Sequence, residues 1–193
     1  MLKIGIVVFP DVEELDFVGP FEIVSYINKL RPQSTSVRII SNSTEPVRAF
    51  NGLKVIPDVD FKSCPMLDIL VIPGGKGRMK AMHDLNLRTF LKRQSAQAAY
   101  TTSVCTGAFI LAEAGLLNGK KATTYHTALD ELAAYESIEV KKNKVVHDDK
   151  VITSAGVSSG IELGLYLLKL LFGKEMSQQV ADKIEYEIDV AEL

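Results

Sequence analysis

The two thiols, Cys64 and Cys105, are the side chains of this sequence best suited to covalent chemistry. A thiolate is the reactive form, so the question is which surroundings favour loss of the proton. Cys105 lies in AYTTSVCTGAFILAEAG, where a strand ending at Val104 gives way to a helix starting near Thr106. A sharp strand-to-helix turn lifts a side chain above the strand ends. Amides at the start of the next helix point toward the sulfur and its dipole favours negative charge, which predicts a low-pKa nucleophile. The competing reading is a small buried hydrophobe, the usual fate of a lone cysteine. Cys64, in KSCPM, has no helix start beside it and is expected to be packing. His83 and His147 lie in polar, turn-like stretches and are expected to be exposed. Two cysteines form neither a disulfide framework nor a four-ligand zinc set, so no metal and no cofactor are expected.

The elements around these residues follow a simple alternation. The continuous apolar run at Ile4 to Phe9 predicts a strand covered on both faces, DILVI at Asp68 to Ile72 reads as another buried strand, and Ala98 to Val104 and the short Val37 to Ser41 read as further strands. Phe17 to Leu30 has apolar residues at helical spacing, and Leu85 to Gln94 reads as a further helix. Thr106 to Ala114 is a small-residue helix stopped by Gly115. A strand at Ala122 to Thr124 and a helix at Ala128 to Tyr135 follow. Val140 to Thr153 holds two strands around the Asp148-Asp149 turn, and Gly156 to Phe172 and Met176 to Ile188 are helical. Strands alternating with helices imply a flavodoxin-like, doubly wound α/β fold, its sheet mostly parallel and covered by helices on both faces. Ligands in such sheets collect at the carboxyl ends of the strands, here after Phe9, Ile72 and Val104.

The chain has 193 residues, is 47% hydrophobic and carries a formal charge of −2. That length suits a single domain over 1–193. The near-neutral balance argues against nucleic acid as a partner. The opening MLKIGIVVFP is too short in its apolar part for a leader and lacks a small-residue cleavage site. No run reaches the roughly 18 apolar residues of a membrane helix, so a cytoplasmic location without membrane contact is expected. GGKG after the strand at Asp68 to Ile72 lacks the Gly-Lys-Ser/Thr ending of a phosphate loop, which excludes nucleotide binding by that motif.

SVCTGAFILAEAGLLNGKKATT resembles the nucleophile elbow of the ThiJ/PfpI superfamily, which shares its fold with class I glutamine amidotransferases. FPDVEELDFVGPFEI, DILVIPGG and VITSAGVSSGIELGLYLLKLLFG match in the same order and extend the resemblance over nearly the whole chain. Cys followed by Thr-Gly, with LDFVGPFE near the amino terminus, is most similar to the isonitrile hydratase-like branch. The resemblance implies that Asp16 stands on the loop after the first strand, facing Cys105. There it would hold a proton for substrate or tune the thiol; its competing role is to cap the helix that follows. Glu13 and Glu14 are expected to be solvated loop acids and Glu22 a helix-surface residue. Gly74 and Gly75 present backbone amides at the second strand end, and the Gly75 and Thr106 amides could form an oxyanion-type hole. Gly19 is expected to permit close approach near Asp16.

Two departures bear on activity. Relatives that are proteases or amidases follow the cysteine with His, whereas Thr106 stands here, and no late His-x-Glu pair suits an amidotransferase. Peptidase and amidotransferase activity are therefore not expected. Many relatives carry Thr-Thr-His-Trp where this chain has Thr123-Thr124-Tyr125-His126, which puts Tyr125 in the histidine place and His126 in the tryptophan place. The resemblance implies a homodimer and a hydro-lyase: the Cys105 thiolate attacks a small, uncharged electrophile, an isonitrile, and the adduct is hydrolysed to an N-substituted formamide. Glutathione-independent glyoxalase action on 2-oxoaldehydes, or a non-catalytic thiol that senses ligand or oxidant, are the alternatives.

Overall fold

The computed structural model describes residues 1–193. Its strands are β1 (Leu2–Val7), β2 (Thr35–Ser41), β3 (Val47–Arg48), β4 (Lys54–Val55), β5 (Val59–Asp60), β6 (Ile69–Ile72), β7 (Tyr100–Val104), β8 (Lys121–Ala122), β9 (Glu139–Val140), β10 (Val145–Asp148) and β11 (Val151–Ser154). Its helices are α1 (Glu14–Leu30), α2 (Arg78–Ala81), α3 (Leu85–Ser95), α4 (Gly107–Glu113), α5 (Leu129–Ala133), α6 (Ser159–Phe172) and α7 (Lys174–Lys183). Seven strands form the main sheet in the order β10-β11-β7-β6-β1-β2-β5. All neighbours are parallel except the β10–β11 hairpin at one edge. This is the mostly parallel α/β sheet that the alternating pattern predicts.

The central strands are apolar along their length because both faces are covered: Ile69 to Ile72 are all buried, as are Ile4 to Val7. One helical layer joins α1, α6 and α7; the other joins α2, α3 and α4. Between α1, α6 and α7 lies a small apolar cluster with Ile23, Ile27, Leu165 and Leu168, separate from the main core. The chain runs outward from β1 to β2 and returns to β6 on the other flank of β1. The loops after β1 and β6 therefore part at the point where an α/β sheet forms its crevice. No helix is long and apolar enough to cross a membrane.

Several boundaries differ from expectation. The ladder of β1 ends at Val7, although Val8 and Phe9 stay buried. Helix α1 begins at Glu14, three residues before the expected Phe17, so Asp16 lies in its first turn and neither on a loop nor at the cap. The expected strand at Ala122 to Thr124 is only β8, paired with β9 outside the main sheet. A 3₁₀ turn over His126–Ala128 precedes α5, which shortens the expected helix there. Helix α7 stops at Lys183, and Glu185 at φ 55° turns the chain before the 3₁₀ turn at Val190–Glu192. The β3–β4 hairpin and β5 are strands of two residues each, too short to leave a periodic pattern.

Candidate active site

Three strand ends supply the site. After β1, the first turn of α1 carries Asp16, whose side chain is fully buried. After β6, Gly74 donates its amide to Asp16 Oδ2 at 2.9 Å. A Cβ on Gly74 would lie 2.5 Å from the Thr106 amide nitrogen, so only glycine lets the two loops close on each other. After β7, Cys105 turns the chain into α4 with φ 55°, an uncommon conformation for a residue other than glycine. Its own amide donates to the carbonyls of Ser154 (3.1 Å) and Ala155 (2.8 Å), and its carbonyl accepts from the Thr124 hydroxyl at 2.9 Å. These bonds hold the elbow in its strained shape from two sides.

Cys105 is only 6% exposed, and the Val157 and Thr106 amides and the Thr106 hydroxyl act on its sulfur in favour of the thiolate. Val157, the residue that faces it from the turn before α6, has φ 38° although it is β-branched. Strained backbone on both sides of one thiol is the pattern of a preorganised site. Oδ2 of Asp16 is held by Gly74, while Oδ1 is buried with no hydrogen-bond partner, and the Cys105 side chain stands close enough to stabilise the carboxylate.

Burial governs the electrostatics. Removal from water pushes the Asp16 carboxyl up to about 7; the Gly74 amide opposes this, and the nearby Glu13 charge adds to it. The Cys105 thiol is pushed up to about 12, first by burial and then by the Asp16 charge, against the pull of the Val157 and Thr106 amides. The low-pKa thiol expected from the helix dipole is thus not what the fold builds. Helix α4 has only seven residues, and its first amides do not outweigh desolvation beside a carboxylate. Of the two groups Asp16 gives up its proton first, and its charge then holds the thiol protonated.

The other expected residues separate. Gly75, at φ 115°, gives its N–H to Thr106 Oγ1 at 3.1 Å, so that amide is already engaged. With the Gly75 amide taken by the Thr106 hydroxyl, the Gly75 and Thr106 amides do not pair as the expected oxyanion hole. Gly19 faces the backbone of Gly160 and Ile161, where α1 crosses α6, and not the space around Asp16. Tyr125 is half-buried against Gly156, next to the residues that hold Cys105. His126 is exposed and meets Tyr125 edge-on at 4.4 Å. His83 and His147 are exposed, and no cluster of three or more ligating side chains suits a metal ion. Glu14 is bound to the Asn51 amide and side chain, both at 2.8 Å, so it is no free loop acid.

Sequence reasoning misses Val157, and Glu13, expected as a solvated loop acid, lies near enough to act on Asp16. The strand-turn-helix pattern of TSAGVSSGIE is the signal for Val157, since it repeats the layout around Cys105. Two cavities lie elsewhere: about 830 Å³ beyond β1 and β2, walled by Phe9, Phe61 and Leu87, and about 450 Å³ beside Lys144 and Tyr186. Neither touches Cys105 or Asp16.

A buried thiol on a strained elbow, facing an acid from the first helix across a parallel sheet, defines the class, and the chain belongs to the DJ-1/PfpI family, which matches residues 2–170. Among its relatives is the isonitrile hydratase of Pseudomonas putida, 37% identical over 185 residues, or 96% of this chain and 78% of that protein. The glutathione-independent glyoxalase DJR-1.2 of Caenorhabditis elegans is 29% identical over 143 residues, 72% of this chain and 75% of that one. Among solved structures, a ThiJ/PfpI family protein from Pseudomonas syringae superposes with a TM-score of 0.89 at 33% identity, covering 97% of this chain and 76% of that one.

Proposed function

We propose that this chain is a cysteine-dependent hydratase that converts isonitriles to N-substituted formamides. The observation that carries the reading is the buried Asp16 carboxyl, held by Gly74 with Oδ1 left unpartnered, facing Cys105 on its strained elbow; the likeness to an isonitrile hydratase supports it. In the resting pair Asp16 is the base and Cys105 still holds its proton. As the sulfur attacks the terminal carbon of R–NC, the thiol proton passes to Asp16 and a C–S bond forms. Asp16 returns that proton to the same carbon, giving the thioimidate R–N=CH–S–Cys. Water then adds to this carbon, losing one proton through Asp16 to the nitrogen. The C–S bond breaks as the hydroxyl collapses to a carbonyl; R–NH–CHO leaves and the thiol regains its proton. The Thr106 and Val157 amides stabilise the sulfur's charge at attack and departure.

The pair also suits neutral substrates. The charges that act on it, Asp16 on Cys105 and Glu13 on Asp16, are negative, which disfavours an anionic electrophile. The test is to incubate the protein with an alkyl isonitrile and follow the formamide by NMR. Cys105→Ala should abolish product and Cys64→Ser should leave it unchanged; no formamide from the unaltered chain overturns the reading. Methylglyoxal in a parallel tube separates the glyoxalase reading, which the Caenorhabditis relative favours and which yields lactate.

The working unit in this reading is one domain over 1–193, in the reducing cytoplasm, paired with a second copy of itself. Leu15, Val18 and Phe21 on α1 and Phe50, Leu53 and Ile56 on and just beyond the β3–β4 hairpin are exposed apolar side chains, and Glu14 ties the two groups together through Asn51. An apolar face of that kind fits a partner surface. Sedimentation of the purified protein as a monomer at micromolar concentration would exclude the pairing.

A further inference from the structure

The mechanism above leaves Tyr125 unused, although its place next to the nucleophile is fixed. It follows Thr124, whose hydroxyl holds the Cys105 carbonyl at 2.9 Å. Its ring rests on Gly156 so closely that a Cβ there would come within 2.3 Å of Cδ2 and 2.8 Å of Cε2. Any other residue at 156 would force the ring away. The two neighbours of Gly156 both act on the elbow: the Ala155 carbonyl accepts the Cys105 amide at 2.8 Å, and the Val157 amide favours the Cys105 thiolate. The phenol is thus seated on the same short loop that holds the thiol, one residue from each contact. It is half-buried at the edge of the main core, and His126 meets it edge-on with an interplanar angle of 62°.

We propose that Tyr125 is a specificity-determining wall, selecting uncharged electrophiles with a flat apolar substituent, aryl above all, which packs on its ring while Cys105 attacks. The inference rests on Cys105 being the nucleophile, and it adds the class of substituent. An aromatic ring prefers another ring in offset or edge-to-face contact, worth about 0.5–1.5 kcal/mol beyond area burial. That range corresponds to a preference of about two- to tenfold in rate. An anionic substituent gains nothing from a ring face and is repelled by Asp16.

The test uses the full chain carrying Cys64→Ser, so that one thiol reports. Its alkylation by N-phenylchloroacetamide and N-methylchloroacetamide is timed, each rate divided by that of free cysteine with the same reagent. The parent should favour the phenyl reagent by about two- to tenfold. Tyr125→Phe should keep the preference, and Tyr125→Leu should bring it close to one. An unchanged preference in Tyr125→Leu overturns the wall. So does a loss in Tyr125→Phe equal to that in Tyr125→Leu, because the hydroxyl and not the ring would then be responsible. Phenyl and methyl isonitriles, assayed with the same variants, should show the effect in KM more than in kcat. The alkylation ratio reads thiol and wall alone, so it stands if no isonitrile is turned over. A normal isonitrile rate with no phenyl preference sinks the wall and spares the hydratase.

Discussion

Gly74 and Asp16 are joined by a 2.9 Å hydrogen bond that spans the crevice between the loops after β6 and β1. The bond orients the carboxyl: Oδ2 is taken by the amide, and Oδ1 is left buried without a partner beside the thiol. A lone pair kept out of water and unpartnered is ready to receive a proton.

The same burial makes Asp16 a pH-dependent burden on the fold. Its pKa is raised to about 7 from an unfolded value near 3.9, so the folded state favours the protonated acid. The stability this provides is full below pH 4 and lost as pH rises through 7. Asp16→Asn removes the titration while keeping an acceptor for Gly74. The variant should therefore gain on the parent as pH rises, by about 3 kcal/mol between pH 5 and pH 8. Urea unfolding at the two values measures the gap, and a constant gap would show that Asp16 is not buried as an acid.

The charge of Asp16 also holds the Cys105 thiol up. Asp16→Asn should then speed alkylation of Cys105 by iodoacetamide at pH 9, on the order of tenfold for each pKa unit released. The same variant should lose isonitrile turnover, because the base is gone. Faster alkylation with slower catalysis separates a proton-transferring acid from one that merely blocks the pocket.

Val157 holds φ 38° in the turn before α6, and its amide favours the Cys105 thiolate. Val157→Gly removes the strain and should leave the fold unchanged or more stable by about 1 kcal/mol, since sparsely populated backbone shapes cost about 1–3 kcal/mol. Turnover should fall, because the freed loop no longer fixes the donor. Equal losses of stability and activity would mean that the strain has no part in the site.

Arg78 lies flat on Phe109 at 4.0 Å, and its Nη2 reaches both oxygens of Glu131 at 3.0 and 2.7 Å. Its side chain is 12% exposed whereas that of Glu131 is 50% exposed. The ring contact should therefore outweigh the ion pair. Arg78→Ala is expected to cost about 2 kcal/mol and Glu131→Ala less than about 1 kcal/mol in chemical denaturation.

Much of this arrangement is legible along the chain because it is local. The runs at Ile4 to Phe9, Asp68 to Ile72 and Ala98 to Val104 mark strands buried on both faces, and Cys105 sits visibly at the end of one. What depends on distant residues is not legible in the same way. The direction of the thiol's pKa comes from burial and from Asp16, and the helix dipole that a local reading emphasises is the weaker influence. The Gly75 amide is committed to the Thr106 hydroxyl, a contact between separate loops. Gly19 reads as a site residue from its nearness to Asp16 in sequence, but helical geometry turns it onto α6. The β3–β4 hairpin escapes notice because two residues per strand cannot show alternation.

The elbow amide is held by Ser154 and Ala155, in a segment that follows Cys105 by some fifty positions. A ribosome extends the chain at about 5–20 residues per second, so several seconds separate synthesis of the thiol from synthesis of its cover. During that interval Cys105 is an ordinary cysteine, with an ordinary acidity and open to oxidants. The finished molecule guards its sulfur, but the growing one relies on the cell to do so.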